Sequence, residues 1–166
     1  MANEAYISKG TSLLFNGEGG AAVAFSVEGI ANNSGWVSAQ RDLGAAPRPG
    51  LYDWSCEVQF QATPTQGAGL ELYAAFAPDG DSTQIDGDIG ASDAALGDVD
   101  MRRNLTFIGF VTSENAAASE KCVASGQFEC FKRYISIVAY NASGAAVNAT
   151  DTNFRFDLAP AFWQGQ

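Results

Sequence analysis

The sequence predicts an all-β domain, a two-sheet antiparallel sandwich of jelly-roll-like form with eight or nine strands and little helix. Three observations predict this class. Residues Leu51–Gln61 alternate strictly between apolar and polar side chains, which is the period of a strand with one face in a core. Arg103–Thr112 and Arg133–Tyr140 are apolar on both faces, as expected for central strands. No 3.6-residue helical pattern lasts more than about one turn.

The remaining strands are predicted where apolar and polar residues alternate in short segments that turn residues separate. The N-terminal third, residues 1–50, is less regular, and its last part, residues 42–50, is a coil without periodicity. The long polar loop from Asp79 to Asp100 is predicted to carry a short helical turn near Ala91–Leu96. In chain order the predicted strands are Ser12–Phe15, Ala22–Val27, Gly35–Ser38, Leu51–Gln61, Leu70–Phe76, Arg103–Thr112, Glu120–Cys130, Arg133–Tyr140 and Asn153–Leu158.

The length of 166 residues fits one domain, residues 1–166, with residues 159–166 as a tail after the last strand. A domain of this size buries about 70% of the surface that its unfolded chain exposes, which is enough for a core. The first residues lack a basic segment followed by a long apolar run, so no signal peptide is predicted and folding in a cytosol is expected.

The charge balance argues against two classes of partner. Nine basic residues stand against nineteen acidic ones, for a net charge of −10. Nucleic acids and anionic membranes are bound by an excess of Lys and Arg, so neither is predicted as a partner. Charged residues are 17% of the chain, and a surface of low charge suits packed assemblies. The basic pairs Arg102–Arg103 and Lys132–Arg133 either protect strand ends or form salt bridges to an acidic neighbouring subunit.

Catalysis is not predicted. The chain has no histidine, so a Ser-His-Asp arrangement cannot be built and the usual metal ligand is missing. Gly17–Gly20 lacks the following Lys and helix of a phosphate loop. Glu57 and Glu71 are candidate carboxylates for a glycosidase, but both occupy the polar phase of an amphipathic strand, which favours an exposed sheet face. The prediction is a protein that is not an enzyme and needs no cofactor.

Three cysteines suit a reducing compartment. Cys56 falls on the apolar face of Leu51–Gln61 and is predicted to be a core residue. Cys122 and Cys130 flank Ser125-Gly126, and a tight ribbon turning at this dipeptide would bring them to face each other. Either a disulfide joins them or they remain reduced, the usual state in a cytosol. Without a C-x-x-C pair or a histidine, a zinc site is not predicted.

The acidic loop leaves two interpretations open. Its carboxylates are hard oxygen ligands of the kind that calcium prefers, so a calcium site is one hypothesis. The spacing differs from an EF-hand, since the sixth position is not Gly and no Glu closes the loop, and a solvated acidic turn is the alternative. The main candidate ligands are Asp79, Asp81, Asp86 and Asp88.

Four residues are candidates for an interface. Phe162 and Trp163 follow the last strand and a proline, where they either fold back onto the domain or dock on a partner. Trp36, on a weak strand, poses the same choice, and Arg48 lies in the aperiodic coil.

The second half of the chain carries a family resemblance. Four segments, Leu70–Tyr73, Arg103–Val111, Arg133–Ala146 and Phe154–Pro160, together with the Asp-Gly loop, resemble small virion proteins of tailed bacteriophages. The resemblance covers residues 50 to 160, and some proteins of this kind are capsid cement or decoration proteins with jelly-roll-like folds. It implies a structural role and names no active site.

The leading hypothesis is therefore a cement protein, assembled in the host cytoplasm, that binds the capsid exterior and bridges capsomers. Its expected partners are the major capsid protein and further copies of this chain in a dimer or trimer. The alternative is a carbohydrate- or receptor-binding module of a head or tail fibre, since sandwich folds host many such modules. Tyr73, on an outward strand face, and the acidic loop are its candidate contacts. A glycan hydrolase is the third possibility.

Overall fold

The computed structural model describes residues 5–16, 23–45, 48–80, 84–113, 117–118, 120–150 and 153–165, without the side chains of residues 5–8 and 163–165. Among these residues, 3₁₀ helices lie at Asp86–Asp88 and Val99–Asn104. The strands are β1 (Ala5–Lys9), β2 (Leu13–Asn16), β3 (Val23–Ala24), β4 (Ser34–Val37), β5 (Arg41–Asp42), β6 (Leu51–Gln59), β7 (Gly69–Ala77), β8 (Ala94–Ala95), β9 (Thr106–Thr112), β10 (Lys121–Glu129), β11 (Tyr134–Asn141) and β12 (Phe154–Gly165).

These strands form two six-stranded sheets. The first has the order β10-β6-β12-β2-β3, with β1 also pairing with β12, and the second has the order β8-β4-β11-β7-β9, with β5 also pairing with β11. The antiparallel pairs are nested: β2 pairs with β12, β4 with β11, β6 with β10, and β7 with β9. This rolled-up pairing of first strand with last is the jelly roll, so the predicted fold class is confirmed.

The core lies between the two sheets, and every second side chain of β6 points into it. Tyr52, Trp54, Cys56 and Val58 are buried, and the residues between them are partly exposed. Phe156 of β12 stacks on Trp54 with ring centroids 6.1 Å apart. The strict alternation therefore predicted the inward face of this strand correctly.

A second apolar layer covers the outer face of the second sheet. Leu96 packs with Val37 and Val138, and Ile85 packs with Ala75 and Ala77. The polar loop thus turns its few apolar side chains onto the sheet, which explains why β11 is buried on both faces. The helical turn predicted near 91–96 is wrong, because Ala94–Ala95 pairs as a strand with β4.

The segment Arg103–Thr112 is not a central strand. Its first residues belong to the 3₁₀ helix, the strand begins at Thr106, and β9 lies at the edge of its sheet. Phe107 is 57% exposed. The pairing with β7 shifts register beside Ile108, so that Ile108 and Val111, three residues apart, both face the core. A bulge of this kind breaks the two-residue period from which both-face burial was predicted.

Residues 159–165 are part of a strand and not a tail. β12 continues through Pro160 to Gly165, because β1 pairs antiparallel with Ala161–Gly165. Pro160 has no N–H to donate, and its carbonyl accepts a hydrogen bond of 2.8 Å from the Gly10 N–H. The short strands β1, β5 and β8 were not predicted, and the predicted strand at 22–27 is reduced to Val23–Ala24. No helix in the described part of the chain is long and apolar enough to cross a membrane.

Candidate functional site

Three segments meet at one end of the sandwich and form two adjoining grooves, together named the end groove. They are the coil before β6, the residues after β10, and β12 around Phe162. The first groove, of about 420 Å³, is lined by Arg48, Pro49, Leu51, Glu129, Phe131 and Phe162. The second, of about 320 Å³, shares Arg48, Pro49 and Phe162 with the first and adds Arg41, Leu43 and Tyr52. The shared residues form a wall between the two grooves.

Arg48 is held in this wall by two backbone carbonyls. Its Nη1 donates to the Gly44 carbonyl at 2.8 Å and its Nη2 to the Phe131 carbonyl at 3.1 Å. The guanidinium thereby joins the coil before β6 to the segment after β10. Because both acceptors are neutral, the positive charge at the groove is not cancelled.

Two aromatic rings stand exposed on the first groove. Phe131 is 72% exposed and Phe162 is 41% exposed. Gly50 leaves room for the ring of Phe131, since a Cβ on Gly50 would lie 2.6 Å from Cε1 of that ring. Gly10 does the same for Phe162, whose Cε2 would be 2.9 Å from a Cβ there. Neighbouring exposed aromatic rings are typical of surfaces that bind a partner.

Asp42, which lines the second groove, forms an ion pair with Arg133. Arg133 donates from Nε and Nη2 to the two carboxylate oxygens of Asp42, at 2.9 and 2.7 Å. This hydrogen bonding, helped by the Gly44 N–H, lowers the pKa of Asp42 to about 2. The charge of Asp42 is therefore already neutralised within the chain.

The four predicted interface residues do not form one surface. The structure brings Arg48 and Phe162 together in the end groove. Trp36 lies on the second sheet, where its Nε1 donates to Asp93 at 2.7 Å and helps to hold the covering loop. Trp163 pairs through its backbone with Ile7, and its side chain lies outside the described residues. The sequence analysis did not single out Phe131. The signal that could have identified it is a large apolar residue directly after the predicted strand Glu120–Cys130.

Three carboxylates of the acidic loop, those of Asp86, Asp93 and Asp98, hold the loop in place. Asp93 accepts from the Ser26 N–H and hydroxyl as well as from Trp36, and Asp86 accepts from the Phe76 N–H at 3.0 Å. Asp98 caps its 3₁₀ helix by accepting from the Asp100 N–H. Within the ranges that the structure describes, three or more metal-ligating side chains do not come together. The calcium hypothesis is therefore not supported for Asp79, Asp86 and Asp88, and Asp81 lies outside the described residues.

The predicted ribbon between Cys122 and Cys130 is wrong. Lys121–Glu129 is one continuous strand, so Ser125-Gly126 lies mid-strand. Eight residues of extended chain separate the two thiols by roughly 26 Å, far beyond disulfide reach. Both cysteines are free, as is Cys56, and burial raises the pKa of all three thiols.

The two carboxylates considered for glycoside hydrolysis lie on opposite outer faces. Glu57 is on the first sheet and pairs with Lys121. Glu71 is on the second sheet, where it accepts a hydrogen bond of 2.6 Å from the Tyr73 hydroxyl and lies 3.5 Å from Arg102. Carboxylates on opposite sides of a sandwich cannot flank one glycosidic bond.

Tyr73 does not offer a free ring to a sugar. It is partly buried against the loop that covers the second sheet, and its ring meets Phe107 edge to face with centroids 5.4 Å apart. Burial and the hydrogen bond to Glu71 raise the pKa of Tyr73 to about 12. The exposed aromatic residues of the end groove therefore replace Tyr73 as the candidates for ligand contact.

Comparison with known proteins yields structural likeness alone. No family matches this sequence, and no curated protein matches it. Among solved structures the chain is similar to murine APRIL at pH 5.0, with 10% identity, a TM-score of 0.36, and coverage of 75% of this chain and 72% of that chain. Murine APRIL at pH 8.0 is similar with 10% identity, a TM-score of 0.41, and coverage of 76% and 98%.

A third similar structure is the EclA C-terminal domain, described as a sugar-binding protein. It shares 10% identity and a TM-score of 0.37, with 99% of this chain and 79% of that chain covered. Likenesses of this degree carry no argument about ligand or partner. The jelly-roll assignment rests on the strand pairing within this chain.

Proposed function

We propose that this chain is a non-catalytic binding module that docks through its end groove on the surface of another protein, and that it serves as a capsid cement or decoration protein. The observation that carries the proposal is the exposure of Phe131 and Phe162 on one groove beside Arg48. The resemblance of residues 50–160 to small phage virion proteins supports the partner, the major capsid protein. In this role the chain assembles in the host cytoplasm and resides on the capsid surface, where it bridges capsomers.

The end groove suits a contact that is weak alone and strong when repeated. Burying a large apolar side chain contributes about 1.5–3 kcal/mol, so two phenylalanine rings supply a modest free energy. Copies of the chain joined in a dimer or trimer present two or three grooves to a symmetric lattice. Each later contact then forms at the high effective concentration set by the first, which raises the overall affinity by orders of magnitude.

Binding to capsids that lack this protein tests the proposal. Purified protein is added to such particles and its occupancy is measured by co-sedimentation and cryo-electron microscopy. The double variant F131S/F162S is expected to lose occupancy, because it removes the exposed rings and adds no charge. Phe107→Ser is the matched control, since Phe107 is also exposed but lies on the edge of the second sheet. Absence of wild-type binding, or equal loss in the control, would overturn the proposal.

A carbohydrate- or receptor-binding module of a head or tail fibre is the second candidate. It is favoured by the same groove, in which two exposed rings stand beside the polar ends of Arg48 and Glu129. Aromatic rings stack on sugar rings while charged groups bind hydroxyls. A glycan array separates the candidates: saturable binding to one glycan, lost in F131S/F162S, together with no binding to capsids, would replace the cement role with this one.

A further inference from the structure

The basic residues of this chain divide into two groups. Six of the nine pair with a carboxylate of the chain itself. These pairs are Lys9–Asp53, Arg102–Glu71, Arg103–Asp100, Lys121–Glu57, Arg133–Asp42 and Arg155–Asp157. Within the described part of the chain, the other three form no such pair: Arg41, Arg48 and Lys132. Arg41 and Arg48 line the end groove, and Lys132 directly follows its lining residue Phe131.

This distribution is unexpected in so acidic a chain. The chain carries nineteen acidic residues, and yet, among the residues that the structure describes, the basic side chains without a carboxylate partner lie close together. Arg48 is fixed by carbonyls, and Asp42, the acidic side chain of the second groove, is taken by Arg133. The second groove therefore presents a net positive charge, in an otherwise negative molecule, that an external carboxylate can neutralise.

The rest of the lining is mainly apolar. Leu51, Phe131 and Phe162 line the first groove, and Leu43, Tyr52 and Phe162 line the second. The few charged side chains of these grooves would bind only some hydroxyl groups of a sugar, and each further hydroxyl group buried without a hydrogen-bond partner costs free energy. An apolar side chain carries no such cost. The lining thus favours a ligand that combines a carboxylate with an apolar group.

We infer that the end groove binds an extended acidic segment of the partner protein, with a carboxylate in the second groove, at Arg41 and Arg48, and an apolar side chain in the first groove. Glu129 lines the first groove and repels a carboxylate there, which sets the direction of the segment. In an extended peptide, residues i and i+2 point the same way and lie about 7 Å apart, so neighbouring grooves separated by one wall suit such a pair. This inference rests on the proposed function and names the chemistry of its partner.

A peptide titration followed by NMR tests the inference on the whole chain. The probe is Gly-Asp-Ser-Phe-Gly, acetylated and amidated so that the aspartate carries its only charge, and the control peptide has Asn in place of Asp. We expect saturable shifts of the backbone amides of Arg48, Leu51 and Phe131. The Asn peptide is expected to bind about tenfold more weakly, the loss that one charge-assisted hydrogen bond accounts for. Equal affinity of the two peptides, or shifts elsewhere on the chain, would contradict the inference.

Arginine variants locate the carboxylate. Arg41→Gln is expected to weaken binding of the Asp peptide about tenfold and to leave the Asn peptide unaffected. Arg103→Gln makes the same change of net charge at an exposed residue outside the end groove and is expected to bind as the wild type does. Arg48→Gln also removes the two carbonyl contacts, so its amide spectrum serves to show whether the groove is intact. Unchanged binding by Arg41→Gln overturns the inference without reference to Arg48.

The same variants separate this inference from the proposed function. If the wild-type protein coats capsids and Arg41→Gln coats them equally well, the cement role stands and the acidic segment is wrong. If the Asp peptide binds as expected but capsids are not coated, the groove chemistry stands and the cement role is wrong.

Discussion

Gly109 of β9 lies against the indole of Trp54 on the facing sheet: a Cβ on Gly109 would stand 2.5 Å from Cη2 of that ring and closer still to Cζ2. The same ring also lies against Gly126, the antiparallel neighbour of Trp54 on β10, where a Cβ would be 2.9 Å from Nε1. The two glycines form a slot that only a residue without a side chain can line. The largest side chain of the core is positioned by this slot.

We expect Gly109→Ala to destabilise the protein by about 1–3 kcal/mol, because overpacking forces the indole or the edge strand to move. The measurement is urea unfolding followed by circular dichroism. Gly97→Ala is the control, since a Cβ on Gly97 meets no atom within 4 Å. Equal stability of the two variants would show that the slot is not rigid.

Leu96 tests whether the acidic loop acts as a cover. Its side chain is 8% exposed and packs with Val37 and Val138 on the outer face of the second sheet. Leu96→Ala is expected to cost about 2–5 kcal/mol of the free energy of unfolding and to speed hydrogen exchange of residues 84–105. Val99→Ala, at an exposed position of the same loop, should change stability little. A loop that exchanges at the same rate in both variants does not depend on this contact.

Asp93 is predicted to be a structural residue and not a metal ligand. Asp93→Ala leaves the Trp36 indole N–H and the Ser26 N–H without their acceptor, at an expected cost of about 1–3 kcal/mol. The loss should be the same in calcium and in chelator, measured by thermal unfolding followed by tryptophan fluorescence. Stabilisation of the wild type by calcium, absent from Asp93→Ala, would restore the metal hypothesis.

The ion pair between Arg133 and Asp42 predicts a pH dependence. The folded-state pKa of Asp42 is depressed from the ordinary value of 3.8 to about 2, so the contribution of this pair is present above pH 3.8 and is lost as the pH falls towards 2. NMR titration of the Asp42 carboxyl measures the folded value. In Arg133→Gln the pKa should rise towards its ordinary value, whereas Arg155→Gln, which removes a different ion pair, should leave it low. A low pKa in both variants would assign the shift to the Gly44 N–H instead.

The three thiols should remain reduced and protected. Burial raises the pKa of each thiol, which keeps it protonated at neutral pH, and Cys130, directly after β10, is too far from Cys122 to pair with it. A thiol reagent should label them slowly in the native protein and label all three in urea. A disulfide between Cys122 and Cys130, identified by peptide mapping after native oxidation, would refute the continuous strand.

The sequence by itself determined the inward face of β6 and the burial of β11 on both faces, whereas the same reasoning failed for the edge strand β9. Two local patterns carried this information: the two-residue period of Leu51–Gln61 and the apolar run of Tyr134–Asn141. A local pattern of this kind is reliable because it fixes the face of the strand to which each side chain points. It also determined that Cys56 is a core residue and that the surface carries little charge.

Only the tertiary structure decided which strands are neighbours, and with them the binding surface. Pairing in a jelly roll joins the first strand to the last, and no local pattern encodes so distant a contact. Arg48, Phe131 and Phe162 come from three separate segments and meet because β12 pairs with β6 while the Cys130 N–H bonds to the Gly50 carbonyl. The structure of the acidic loop was predicted incorrectly for the same reason. Its apolar residues follow no strand or helix period, and their burial depends on the sheet that they cover.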